Sequence, residues 1–169
     1  MSHTSPDRVP ELPEVTLTAA GSEKEVNLRR IGAPAILVFH GQDTADAARL
    51  VSKVVRARYP RPAEVFIASV IDLRSFPSMF RSMVQPALEK AYHHTAGKLP
   101  ADADPAELVV LLPDWDGAVH DAVGVKDSPA VAAVAVADRE GRIVCLDQSD
   151  HLAEAALAAL DTLTGPDGT

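Results

Sequence analysis

Few side chains in this 169-residue chain are of types that do chemistry, and their spacing limits what each can do. The densest point is His40-Gly41-Gln42-Asp43-Thr44-Ala45-Asp46-Ala47, directly after the apolar run Ala35 to Phe39. A buried strand that feeds into a helix presents backbone N–H groups and the positive end of a helix dipole at one place. His40 could act there as an acid, base or ligand group. The simpler reading is a half-buried histidine bonded to backbone, because no second catalytic partner stands out. Thr44 could be a nucleophile if a base activated it, but a threonine at such a junction more simply caps the helix. Cys145 is the single cysteine, which excludes an internal disulfide, dithiol exchange and a multi-cysteine zinc site. In a strand it reads as a buried, inert thiol.

The other candidates are weaker. His93 and His94 are adjacent, project differently from a helix and suit a solvated helix end rather than one shared metal. No H-x-x-x-H spacing occurs, so no metal site is expected. Asp114 and Asp116 flank Trp115, either as a carboxylate pair or as caps of the next helix. Met79, Phe80 and Met83 could line a ligand groove or a tetrapyrrole pocket with a methionine or histidine axial ligand; at helical spacing they read as core. The apolar segment from Phe76 to His94 is also a candidate partner surface or lid.

Patterning supplies the elements that would position these groups. Residues 1–12 hold two prolines, with a third at Pro13, and no periodicity, and read as a flexible tail. Glu14 to Thr18 and Lys24 to Leu28 form a hairpin around Gly21-Ser22. Ala35 to Phe39 and Val65 to Ile71 are strands buried on both faces, joined by a helix with Ala47, Leu50, Val51, Val54 and Val55 inward. Asp43 or Thr44 caps that helix, and Pro60 and Pro62 stop it. Ser78 to His94 is helical with a stripe of Phe80, Met83, Val84, Ala87, Leu88 and Ala91, interrupted at Pro86. Glu107 to Leu112 is a third buried strand. A short helix ends at Gly124. Ala130 to Ala137 and Arg142 to Leu146 form a hairpin with Gly141 at positive φ. A last helix, with Leu152, Ala156, Leu160 and Leu163 inward, ends at Gly165-Pro166. The expected domain is 13–164, with 165–169 as a second tail.

Composition narrows the partners. A net charge of -8 argues against nucleic acid, which demands a concentrated positive surface. Arg56, Arg58 and Arg61 read as a solvated helix C-terminus. No apolar run approaches the roughly 20 residues that span a bilayer, and the first residues carry no apolar leader, so no membrane partner and a cytoplasmic location are expected.

The order of elements resembles the thioredoxin-like superfamily, in particular its peroxiredoxin-like (AhpC/TSA, redoxin) branch. LPEVTLTAAGSEKEVNL is similar to the hairpin that opens those proteins. PDWDGAVHDAVGV is similar to their D-x-D-G-x6-G-V segment. Asp127-Ser128-Pro129 and the turn Asp138-Arg139-Glu140-Gly141-Arg142-Ile143 resemble the proline and the D-x-x-G-x-I/V turn of the fold. The resemblance runs from Leu12 to Leu163. It implies an α/β fold, a mixed central sheet flanked by helices with an N-terminal β-hairpin extension, and a cis bond before Pro129.

The resemblance also places the family's thiols. Thr44 and Ala47 fall on the two cysteines of a C-x-x-C motif, or on the threonine and peroxidatic cysteine of T-x-x-C. A thiolate is the nucleophile in both chemistries, and neither residue supplies one. The expectation is a redox-inactive, non-enzymatic binding or interaction module whose degenerate site comprises His40, Asp43, Thr44, Ala47, Ser128 and Pro129. No cofactor is expected, the partner is a protein or small molecule, and a homodimer is possible. Two alternatives stand beside it: a cysteine-independent enzyme using His40 and Thr44, and a carrier of a hydrophobic cofactor such as haem between the methionine helix and the sheet.

Overall fold

In the computed structural model, which describes residues 10–164, the sheet is built around the most apolar strand. Every residue of β3 (Ala35–His40) is buried, as a strand with neighbours on both sides and helices on both faces requires. It pairs in parallel with β4 (Phe66–Asp72), which pairs in parallel with β5 (Leu111–Asp114). On the other side β3 pairs antiparallel with β6 (Ala133–Ala137), and β6 with β7 (Ile143–Asp147). The order is β5-β4-β3-β6-β7. The separate hairpin β1 (Thr16–Thr18) and β2 (Glu25–Asn27) is antiparallel.

Alternation along the strands sorts side chains into two cores. Leu37, Phe39, Val70 and Leu112 pack on one face with Leu12 and Leu28 and with Val119 and Val123 of α4 (Ala118–Val123). Ile36, Val38, Val134 and Val136 pack on the other with Val51 and Val55 of α1 (Ala45–Arg58) and Ala156 and Leu160 of α5 (Leu152–Thr164).

Several sequence expectations shift. Leu12, assigned to a tail, is buried, and its N–H donates to the Gly141 carbonyl at 2.8 Å. The rest of that tail up to residue 9, and the tail 165–169, lie outside the described residues. Glu107 to Leu112 is not one strand. The Asp104 carboxylate caps Ala106 N–H at 3.0 Å, Pro105 takes the first helical position, and α3 (Pro105–Leu108) forms before β5 begins. Pro113 is tolerated in β5 because β5 is an edge strand. Arg56 is not a solvated end: its Nη1 donates to the carbonyls of Tyr59, Arg61 and Val65 and closes the end of α1.

The largest departure is the methionine segment. Ser78–Phe80 is a short 3-10 turn, and α2 (Arg81–Ala96) runs on through Pro86. Tyr92 is its single buried residue, seated where a Cβ on Gly21 would collide with its ring. Of the stripe expected in the core, Val84 and Leu88 are half-buried and Phe80, Met83, Ala87 and Ala91 are exposed; Met79 beside it is 76% exposed. Met79 and Met83 thus face solvent rather than the sheet.

Candidate functional site

The carboxyl ends of β3, β4 and β5 carry polar residues that the strands themselves place. β3 ends in His40, whose Nδ1 lies 2.8 Å from the Gly41 carbonyl oxygen. Burial lowers the His40 pKa from its ordinary value, the nearby charges of Arg49 and His120 add to that, and the bond to the Gly41 carbonyl opposes it. The chain then turns into α1 through Thr44. Its hydroxyl does not cap the helix; it accepts the Gly41 N–H at 2.9 Å and donates to the Ser128 carbonyl at 2.7 Å. Thr44 therefore ties the strand end to a loop 84 residues further along. His40 and Thr44 form no acid–base pair, because the one proton of the hydroxyl is committed to Ser128.

A second set of bonds holds that loop from behind. Asp114 at the end of β5 accepts the N–H groups of Val119 and His120, at 3.3 and 3.0 Å, and so caps α4 as a short acidic side chain should. The same carboxylate lies 2.8 Å from His120 Nδ1, and His120 Nε2 lies 2.7 Å from Ser128 Oγ. A carboxylate only accepts, so Nδ1 carries the proton, and in the neutral ring Nε2 accepts from the Ser128 hydroxyl. His120 and Ser128 are both fully buried. The His120 ring also meets Phe39 edge-on, with centroids 5.0 Å apart. Burial alone would raise the Asp114 pKa; bonds from the His120 side chain, the two backbone N–H groups and the His120 charge outweigh it and hold the carboxyl below its ordinary value. Its cross-strand neighbour Asp72 is kept low in the same way, with burial outweighed by the Arg74 side chain and N–H and by the charges of His120 and Arg74.

The Ser128–Pro129 bond is trans, and no cis peptide occurs among the described residues. The cis bond expected before Pro129 is thus corrected. The reversal is made one residue earlier: Asp127 adopts φ 49, and its carbonyl accepts from Ala130 and Val131. Aspartate is among the few non-glycine types that visit this region readily. Pro129 still reaches the site, since a Cβ on Gly41 would stand 2.7 Å from the Pro129 Cβ.

Of the residues singled out from sequence, His40, Thr44, Ser128 and Pro129 meet at the start of α1. Asp43 and Ala47 line a neighbouring cavity of about 410 Å³ between the starts of α1 and α5 and the Ala130–Ala132 segment. Cys145 lies on β7, half-buried among residues of the α1–α5 core, and burial raises its thiol pKa. His120 was missed by sequence reasoning. The only signal was an aspartate, a tight Gly117 turn and a histidine six residues on, which no periodicity flags.

No family model matches the chain, and no curated protein matches it. Solved structures do. The exposed lipoprotein thioredoxin Etrx1 of Streptococcus pneumoniae aligns with TM-score 0.60 at 18% identity, over 89% of this chain and all (100%) of that one. An uncharacterized conserved protein of Geobacillus kaustophilus aligns with TM-score 0.67 at 16% identity, over 92% and 80% of the two chains. The bacterioferritin comigratory protein of Xanthomonas campestris, described with alkyl peroxide reduction activity, aligns with TM-score 0.56 at 18% identity, over 95% and 97%. The fold is thioredoxin-like. The N-terminal hairpin and mixed five-stranded sheet fit it throughout. No helix among the described residues is long and apolar enough to cross a membrane.

Within this thioredoxin-like fold the start of α1 has no thiol to offer. Asp114, His120 and Ser128 are bonded in the order of a serine-hydrolase relay, but a serine with no exposed surface meets no substrate. The arrangement positions a loop, and the open space beside it lies in the cavity.

Proposed function

We propose that this protein is a redox-inactive thioredoxin-fold binding module whose ligand sits in the cavity beside the degenerate site. One observation carries the reading. The hydroxyl of Thr44 is fully used in joining Gly41 to Ser128, so the start of α1 is a braced wall rather than a reactive group. The wall borders a cavity of about 410 Å³, within the range of about 300–1,000 Å³ usual for ligand clefts. His40 and the Asp114–His120–Ser128 chain fix that wall from the interior, which preorganises it and lowers the entropic cost of binding.

The test is an insulin disulfide-reduction assay and a peroxide-consumption assay on purified protein. Neither should exceed the protein-free control. Turnover by the wild type that vanishes in Cys145→Ser would overturn the reading, since Cys145 is the only thiol.

A cysteine-independent enzyme is a second reading, favoured by the Asp114–His120–Ser128 geometry. It requires the Ser128 turn to open. Labelling of Ser128 by a fluorophosphonate, abolished in Ser128→Ala, would establish it; an unlabelled serine after prolonged exposure would remove it.

A further inference from the structure

The cavity between α1 and α5 has a particular chemistry. Its floor is apolar, with Ala47, Val51, Leu50 and Val131 lining it; Leu50 and Val131 stay 57% and 44% exposed. Apolar surface exposed beside a concavity and rimmed by polar residues marks an interaction site. Its rim is acidic: Asp43 and Asp46 come from the α1 side, Asp150 and Glu154 from the α5 side. Of the basic groups near it, Arg49 is paired with Asp46, and His151 of the lining lies 3.7 Å from Glu154.

The starts of two helices also face this cavity, so an anionic ligand has to be weighed. Each helix start is equivalent to about half a positive charge, so two supply about one. Four carboxylates against that, even with Arg49 and a charged His151 counted, leave the rim negative. Asp46 and Glu154 sit in the first turns of α1 and α5 and so already occupy those helix starts with acidic side chains. The net charge of -8 for the whole chain points the same way.

We propose that the cavity takes a basic peptide segment: one apolar anchor side chain on the Leu50–Val131 floor, flanked by lysines or arginines that meet the rim. This rests on the binding-module reading and names the class of partner. The anchor supplies affinity through burial, and the flanking cations supply orientation and on-rate, which makes association fall as salt rises.

The probe is a displayed library of random dodecapeptides selected on the full chain. Enriched peptides should carry two or more Lys or Arg around an aliphatic or aromatic residue. Their binding should be lost on Leu50→Arg, and should weaken about tenfold on Asp46→Lys/Glu154→Lys, two rim pairs being removed. All three positions are exposed, and circular dichroism checks that each variant stays folded. Acidic or neutral peptides that still depend on Leu50 would overturn the basic partner and leave the binding module standing. Peptides indifferent to Leu50→Arg would overturn the cavity as their site. A library that enriches nothing would overturn the peptide partner and leave the binding-module reading to its own test.

Discussion

The Asp114–His120–Ser128 chain and helix α2 leave the same edge of the sheet, from the ends of β5 and β4, and are held in opposite ways. In the first, each polar atom that leaves water has a partner. Carboxylate, imidazole and hydroxyl are bonded in series, and the hydroxyl of Thr44 extends the series to the start of α1. In the second, a 16-residue helix buries one side chain, Tyr92, and shows Met83, like Met79 in the turn before it, to solvent. The difference separates two uses of an element. A bonded, buried cluster sets where a loop stands. A helix docked at one point contributes surface and little stability.

The largest effect that tests this contrast is His120→Ala. It leaves the Asp114 carboxylate without its imidazole and the Ser128 hydroxyl without an acceptor, both away from water. Breaking one partner of a buried charged network costs about 3–5 kcal/mol. Urea unfolding should show a loss in that range, and a double-mutant cycle with Ser128→Ala should give a coupling of at least about 0.5 kcal/mol. Strictly additive losses would mean that the chain does not act as a unit.

Next in size is Thr44→Val, which keeps the shape and removes the hydroxyl. The Gly41 N–H and the Ser128 carbonyl then lose their partner, at a cost of about 1–3 kcal/mol. Thr44→Ser should restore most of it. A Thr44→Val variant as stable as wild type would show that the brace between α1 and the Ser128 loop is dispensable.

A smaller effect follows from His40. Its pKa is lowered by burial, so the unfolded chain takes up a proton below about pH 6.5 while the folded one does not. Stability should therefore be unaffected by His40 above that pH and fall as acid is added, until the lowered folded-state pKa is reached. The slope from one such group is at most about 1.4 kcal/mol per pH unit. His40→Asn should flatten the stability profile just below pH 6.5. Asp72 and Asp114, held low, contribute stability above about pH 3.8 that is lost only as pH falls through their folded values.

These cases also mark what was legible beforehand. The α/β class was, because Ala35 to Phe39 is continuously apolar and the run Val65 to Ile71 is broken only by Ser69, as strands covered on both faces are; the thioredoxin-like fold came from the resemblance. Thr44 and Pro129 could be placed together only through the resemblance to the thioredoxin-like fold, since nothing local to either residue points to the other. The partners of Thr44 could not be read, since a hydroxyl that bonds a carbonyl 84 residues away leaves no local trace. His120 was hidden for the same reason. In α2 the pattern misled outright: Phe80, Met83, Val84 and Ala87 have helical spacing, and spacing reports a face without reporting what covers it. The left-handed Asp127 was not legible either, since its residue type permits that conformation but does not dictate it.

The smallest expected effect is the sharpest for α2. Met79→Gln/Met83→Gln changes two large apolar side chains, a substitution that in a core would cost several kcal/mol. On an exposed face it should change stability by less than about 0.5 kcal/mol in dilute solution. The measurement should be repeated over a hundredfold range of protein concentration. A loss that stays near zero throughout keeps α2 as free surface. A loss that grows with concentration means the methionines are covered by a second copy of the chain, because association stabilises the folded state by mass action. A large loss at every concentration would place them in the core after all, and would remove the contrast between the two regions.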